Sequence, residues 1–153
     1  MFVCTGNTCR SPLAEALARH AVARRLGVAD HDVLAHGLHF TSVGTGTLAG
    51  MAASEGSMVV AAEAGMDLSA HRSASFDAAD AARASQVLCL ASSHLRAAGA
   101  LAPGLGDRLQ LLDPGGRDIQ DPYGGTVEEY RVVRDQIAAA IEKRVDGWLR
   151  WVR

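Results

Sequence analysis

The chain has 153 residues, enough for one domain with a sizeable core, and its 15 basic and 17 acidic residues leave a net charge of −2. The arginines are spread along the chain, so there is no basic field to hold nucleic acid or a membrane surface, and the N-terminus has neither a basic leader nor a long apolar run. Three cysteines without framework spacing do not read as a disulfide scaffold and point to a reducing cytoplasm, while histidines placed singly at 20, 31, 36, 39, 71 and 94 give no metal-ligand spacing.

In chain order, Met1-Phe2-Val3 reads as the end of a strand. It is short of the roughly five to six residues usual for a central strand, so the start reads as truncated. Residues 4–11 form a turn into a helix over 11–27, with Ser11 as N-cap, Pro12 at the first helical position and Gly27 as the stop. Residues 38–43 alternate like a half-buried strand, and 44–56, rich in Gly, Ser and Ala, reads as a flexible loop passing over the first turn. Short helices are expected over 57–66, 77–83 and near 93–99, with strands at 87–91 and 109–112. After a turn-rich loop over 113–125, Thr126 and Glu129 make a capping box. It opens one long helix with Tyr130, Val133, Ile137, Ile141, Val145 and Trp148 on a core-facing stripe. Strands alternating with helices predict an α/β fold, a single domain over 1–153 built on an open four-stranded parallel sheet with helices on both faces. Such sheets bind ligands at the carboxyl ends of their strands, which is where Cys4 falls.

The stretch Cys4-Thr5-Gly6-Asn7-Thr8-Cys9-Arg10-Ser11 combines a nucleophile with a cradle for a tetrahedral oxyanion. A strand-to-helix turn aims consecutive N–H groups and the positive end of a helix dipole at one point, and Gly6 and Asn7 both tolerate the positive φ a tight loop needs. In that field a thiol should ionise well below its ordinary pKa of about 8.5 and attack as a thiolate. Arg10 can curl back and offer a bidentate fork to two phosphoryl oxygens. The chemistry indicated is cysteine-dependent phosphoryl transfer, against the plainer reading of Cys4 as a buried strand-end thiol. Such a reaction needs a proton donor for the leaving group and then a base for water, and one carboxyl group can serve both. Asp121, in Asp121-Pro122-Tyr123-Gly124-Gly125, is the candidate. Asp113 and Asp118 are rivals that spacing does not separate, and both Asp-Pro pairs also read as ordinary turns.

Cys4 to Pro12 together with Asp121 to Gly125 resembles the low-molecular-weight cysteine phosphatase family, with its near-N-terminal C-x5-R-S-P loop and late D-P-[YF] acid loop. The likeness runs on through Thr41 to Gly46, Gly65 to Arg72 and the strand 86–91. The resemblance implies that Cys4 is the nucleophile, Arg10 the phosphate clamp and Asp121 the acid and base, with Thr5, Gly6, Asn7, Thr8 and Cys9 in the phosphate loop. It implies that Asn7, Ser11, Ser42 and His71 form a network holding that loop, with the Ser11 hydroxyl aimed at the thiolate. It implies too that Cys9 can form a reversible disulfide with the nucleophile, its plainer role being a small buried filler. No metal and no cofactor are expected, the partners are phosphorylated proteins, and the chain is expected to act as a monomer.

The resemblance is nearest to the branch that removes phosphate from arginine. Thr8 stands where tyrosine-specific members usually carry an aliphatic residue, and a hydroxyl can hydrogen-bond a guanidinium where an isoleucine cannot. Gly124 follows Tyr123 where some members have a second aromatic, and Leu48 stands near where many have an aromatic pocket wall. Tyr123 can stack on a ring or a guanidinium, so phosphotyrosine stays as the alternative. Arsenate reductases share the fold and loop but relay a disulfide through further cysteines, and 90–153 contains none. A non-catalytic phosphoprotein-binding module would gain nothing from Asp121.

Overall fold

In the computed structural model, which describes all 153 residues, four three-residue strands, β1 (Phe2–Cys4), β2 (Ser42–Gly44), β3 (Val87–Cys89) and β4 (Leu109–Leu111), form a parallel sheet in the order β2-β1-β3-β4. Alternation along each strand sends side chains to opposite faces. Phe2, Cys4, Leu88 and Leu90 join the larger core, under α1 (Arg10–Leu26), α2 (Glu55–Glu63), α5 (Val127–Glu142) and α6 (Val145–Leu149). Val3, Val43, Val87 and Cys89 face the smaller one, under α3 (Ala78–Arg83) and α4 (Ser92–Leu101). The sheet is therefore covered on both faces, and its central strands β1 and β3 are apolar and buried throughout, while the edge strands β2 and β4 carry Ser42 and Gln110 and β4 is only half-buried. No helix is long and apolar enough to cross a membrane.

Several boundaries differ from the sequence expectation. Helix α1 starts at Arg10, with Cys9 before it and no side-chain cap, so Ser11 lies inside the first turn and its hydroxyl is directed to another partner. The alternating burial expected over 38–43 is present at Leu38 and Phe40, but only Ser42 to Gly44 pair with β1. Helix α2 begins two residues early because Ser54 caps it through the Ser57 N–H, and the turn after it closes on Gly65 at φ 80°. Two 3-10 segments, Asp30–His36 and Pro103–Arg108, carry no periodic apolar signal and were not foreseen. The long C-terminal helix is two helices. Lys143 turns to the Asp113 carboxylate at 2.9 Å and Arg144 donates to the Leu111 and Leu112 carbonyls at 2.6 and 2.5 Å, which breaks the helix while the apolar stripe stays buried across the break.

The loop between β2 and α2 lies over the first turn as expected, but it is pinned rather than free. Thr45 and Gly46 donate backbone N–H groups to the Cys4 and Thr5 carbonyls, the Thr47 hydroxyl donates to the Gly6 carbonyl at 2.6 Å, and the Ser54 N–H donates to the Thr8 carbonyl at 2.8 Å. A side chain at Gly44 would meet the Thr5 carbonyl, so glycine is required where this loop leaves the sheet.

Candidate active site

The turn from β1 into α1 is wrapped around the Cys4 sulfur. The Asn7 N–H donates to Sγ at 3.2 Å, and the Ser11 hydroxyl stands 3.0 Å from it. Asn7 Nδ2 donates to Ser11 Oγ at 2.7 Å, so that oxygen accepts from the amide and its own proton is left for the sulfur. A sulfur held by two hydrogen bonds at the mouth of this turn is fixed in place as a nucleophile.

Asn7 makes this geometry possible. It is the one non-glycine residue with positive φ, 53°, and is fully buried. Its side-chain oxygen accepts the Ala74 N–H at 2.9 Å and its carbonyl accepts from His71 Nε2 at 2.7 Å. Every polar atom of the side chain is thus tied to a different part of the fold, which offsets the cost of the left-handed backbone. Gly6 does not share the positive φ expected of it, and a Cβ there would make only ordinary contact with Thr8 Oγ1. The backbone N–H groups of Gly6, Thr8, Cys9 and Arg10 have no acceptor within the chain. Four free donors in the turn that carries Cys4 make an anion cradle.

Arg10 is buried, with Nη1 donating to the Ile119 carbonyl at 3.1 Å and Nη2 lying 3.4 Å from Asp121 Oδ2. This contact separates the three candidate acids. Asp113 is 4% exposed and is consumed by Lys143, Arg117 and the Gly115 N–H, which hold its carboxyl well below the usual carboxylate range. Asp118 accepts the Ser92 N–H and hydroxyl at the start of α4, which lowers its pKa as well. Asp121 alone reaches the Arg10 guanidinium, with its side chain 57% exposed and Oδ1 accepting the Tyr123 N–H at 3.1 Å.

The remaining expected residues divide. His71 supports the loop through the Asn7 carbonyl. Ser42 does not touch the loop, because its hydroxyl donates to Glu15 Oε2 at 2.7 Å and so ties β2 to α1. Cys9 is a buried free thiol, 3.5 Å from the Tyr130 hydroxyl and 3.8 Å from the Thr8 hydroxyl, and Cys4 is free as well. Leu48 and Tyr123 are exposed on the two loops that flank the turn.

Three residues escaped the sequence reading. Tyr130, a core position by the helical period, brings its hydroxyl to Cys9, and its ring packs so tightly on Gly56 that no Cβ fits there. Burial and the Cys9 contact push the Tyr130 pKa up to about 12. Ser57 donates to the Cys9 carbonyl at 3.0 Å. His94, on the first turn of α4, puts Nε2 3.1 Å from the Thr5 hydroxyl and 3.3 Å from Arg10 Nη2. Its signal was its place, just beyond the carboxyl end of a strand next to β1. Cys89, on the opposite face of the sheet, has its thiol pKa raised to about 12 by burial and has no part here. No three His, Cys, Asp or Glu side chains converge as a metal site would require.

The sequence model of the family described as low molecular weight phosphotyrosine protein phosphatase matches residues 1–152. A protein-arginine-phosphatase of Geobacillus stearothermophilus is 33% identical, the alignment covering 94% of this chain and 90% of the relative. A low molecular weight protein-tyrosine-phosphatase of Streptomyces coelicolor is 34% identical over 95% of this chain and 94% of its own. The crystal structure of the low molecular weight protein tyrosine phosphatase from T. tengcongensis, 33% identical, superposes with a TM-score of 0.83 over 95% of this chain and 96% of that one.

Proposed function

The chain belongs to the low molecular weight phosphotyrosine protein phosphatase family, and from that premise we propose that it hydrolyses phosphorylated protein side chains through a phosphocysteine on Cys4, with phosphoarginine as its preferred substrate. The observation that carries the chemistry is the Cys4 sulfur held by the Asn7 N–H and the Ser11 hydroxyl in a turn with free N–H donors, the same turn leading into Arg10, which is in contact with Asp121.

In this reading the phosphoryl oxygens lie on the loop N–H groups and the Arg10 fork, which stabilise charge spread over them in the transition state. The Cys4 thiolate attacks phosphorus in line as the P–N or P–O bond breaks, and Asp121 delivers a proton to the departing nitrogen or oxygen. Asp121, now ionised, takes a proton from water as that water attacks phosphorus. The S–P bond breaks, orthophosphate leaves and the thiolate returns. The Ser11 hydroxyl stabilises the sulfur as leaving group in this second step. We place the enzyme in a reducing cytoplasm, as a monomer acting on phosphoproteins.

Thr8 supports the phosphoarginine reading. It lies midway round the loop, is partly exposed, and its hydroxyl has only the distant Cys9 sulfur as partner, so it is free for a guanidinium. Phosphotyrosine is the second reading, favoured by the exposed Tyr123 ring and Leu48 side chain on the flanking loops. Values of kcat/KM for a phosphoarginine and a phosphotyrosine peptide, on the wild type and on Thr8→Ile, test the choice. The wild type should prefer phosphoarginine, and the substitution should lower that preference by roughly 10- to 100-fold, the range for a lost hydrogen bond to a charged group. An unchanged ratio would move the assignment to phosphotyrosine.

A further inference from the structure

We propose that His94 is a positioning residue of this site, its neutral imidazole accepting a hydrogen bond from Arg10 and so fixing where the guanidinium fork sits. The proposal rests on the phosphatase reading of the Cys4 loop. A guanidinium has donors only, so at 3.3 Å from Arg10 Nη2 the His94 Nε2 acts as acceptor and carries no proton. The ring proton is then on Nδ1, and Nδ1 is the one buried side-chain polar atom of the protein with no hydrogen-bond partner.

That orphaned donor argues for the role. His94 is 1% exposed, and an aliphatic side chain of similar volume would fill the same space without burying an unsatisfied N–H. Packing therefore does not account for an imidazole here, whereas the contacts of Nε2 with Arg10 and Thr5 do. Of the groups that touch Arg10, Asp121 is largely exposed and is itself assigned to the proton transfers. The Ile119 carbonyl and His94 are the supports that remain, on Nη1 and Nη2 respectively. Helix α4, which carries His94, is in turn held at its start by Asp118, three residues before Asp121. The loop bearing the acid thus also sets the placement of the clamp. Burial and the charge of Arg10 lower the His94 pKa to about 4, which keeps the ring an acceptor at neutral pH.

The test compares His94→Leu with His94→Gln, whose amide oxygen reaches the position of Nε2. The measurements are hydrolysis of p-nitrophenyl phosphate and the inhibition constant of inorganic orthophosphate. His94→Leu should lower kcat/KM by about 10- to 100-fold and weaken orthophosphate binding, since a displaced fork grips the anion less well. His94→Gln should recover most of both losses. His94→Asn, too short to reach Arg10, replaces the leucine variant with the same expectations if that protein does not fold. Equal behaviour of the leucine (or asparagine) and glutamine variants, or a changed thermal midpoint with orthophosphate binding intact, would overturn the role of His94 while leaving the phosphatase reading in place. A wild type that neither binds orthophosphate nor turns over the aryl phosphate would overturn that reading, and His94's part with it.

Discussion

The Ser11 hydroxyl stands 3.0 Å from the Cys4 sulfur while its oxygen accepts from Asn7 Nδ2 at 2.7 Å, so one buried oxygen joins the nucleophile to the residue that shapes the loop. Ser11→Ala should therefore affect both chemistry and stability. Loss of the proton that stabilises the departing sulfur should slow the second step by about 10- to 100-fold. The Asn7 amide, left without this acceptor, should cost about 1–3 kcal/mol. Pre-steady-state kinetics with an activated aryl phosphate checks the first, as a burst of phenol followed by slow turnover, and denaturant unfolding checks the second. A variant with no burst would place the slow step elsewhere.

The acid assignment yields a pair of opposite outcomes. Asp121→Asn should slow substrates with poor leaving groups far more than p-nitrophenyl phosphate in the first step, because a good leaving group departs without a proton. Asp113→Asn should leave that selectivity alone and destabilise the fold, since Asp113 joins Lys143, Arg117 and the Gly115 N–H. Leaving-group dependence of the burst rate, set beside melting curves, separates the two. The reverse pattern would transfer the acid to Asp113.

Acid stability should fall in two stages. His94 titrates at about 4 in the fold against an ordinary 6.5, so between those values the unfolded chain holds a proton that the native chain lacks, and stability declines as pH drops from about 6.5 to about 4. Asp113 is held down chiefly by Lys143, then Arg117 and the Gly115 N–H. Its contribution is complete above the ordinary value of 3.8 and is lost as pH falls below it. Thermal midpoints taken from pH 7 to pH 3 should show both stages, with the upper one missing in His94→Gln. An upper stage that survives the substitution would mean that another group titrates there.

The sequence carried the chemistry better than the geometry that supports it. Cys4 and Arg10 were legible from a nucleophile and a fork set on a strand-to-helix turn, whereas spacing left Asp121 level with Asp113 and Asp118. Only the family resemblance favoured Asp121 and gave Ser11 its place at the thiolate. The sheet was legible because its central strands β1 and β3 are buried apolar runs. Contacts between side chains far apart in sequence were not legible. Ser42 was expected on the loop, yet Glu15, whose position on α1 is set only by packing, takes its hydroxyl. Tyr130 sits at a core position of an amphipathic helix and reads as nothing else until Gly56 lets its ring close on Cys9. His94 has no motif at all. The break at Lys143 and Arg144 follows from polar contacts to Asp113 and β4 that no helical period announces.

The central claim is that phosphate passes through the Cys4 sulfur, and trapping that intermediate tests it most directly. In Asp121→Ala the base for water is gone, so an activated aryl phosphate should still phosphorylate the enzyme while hydrolysis of the intermediate lags. Rapid acid quench followed by intact-protein and peptide mass spectrometry should then find one phosphoryl group per chain, on the peptide bearing Cys4, and none in the double variant that also carries Cys4→Ala. A phosphoryl group on any other residue, or turnover near the wild-type rate in Cys4→Ala, would contradict the account.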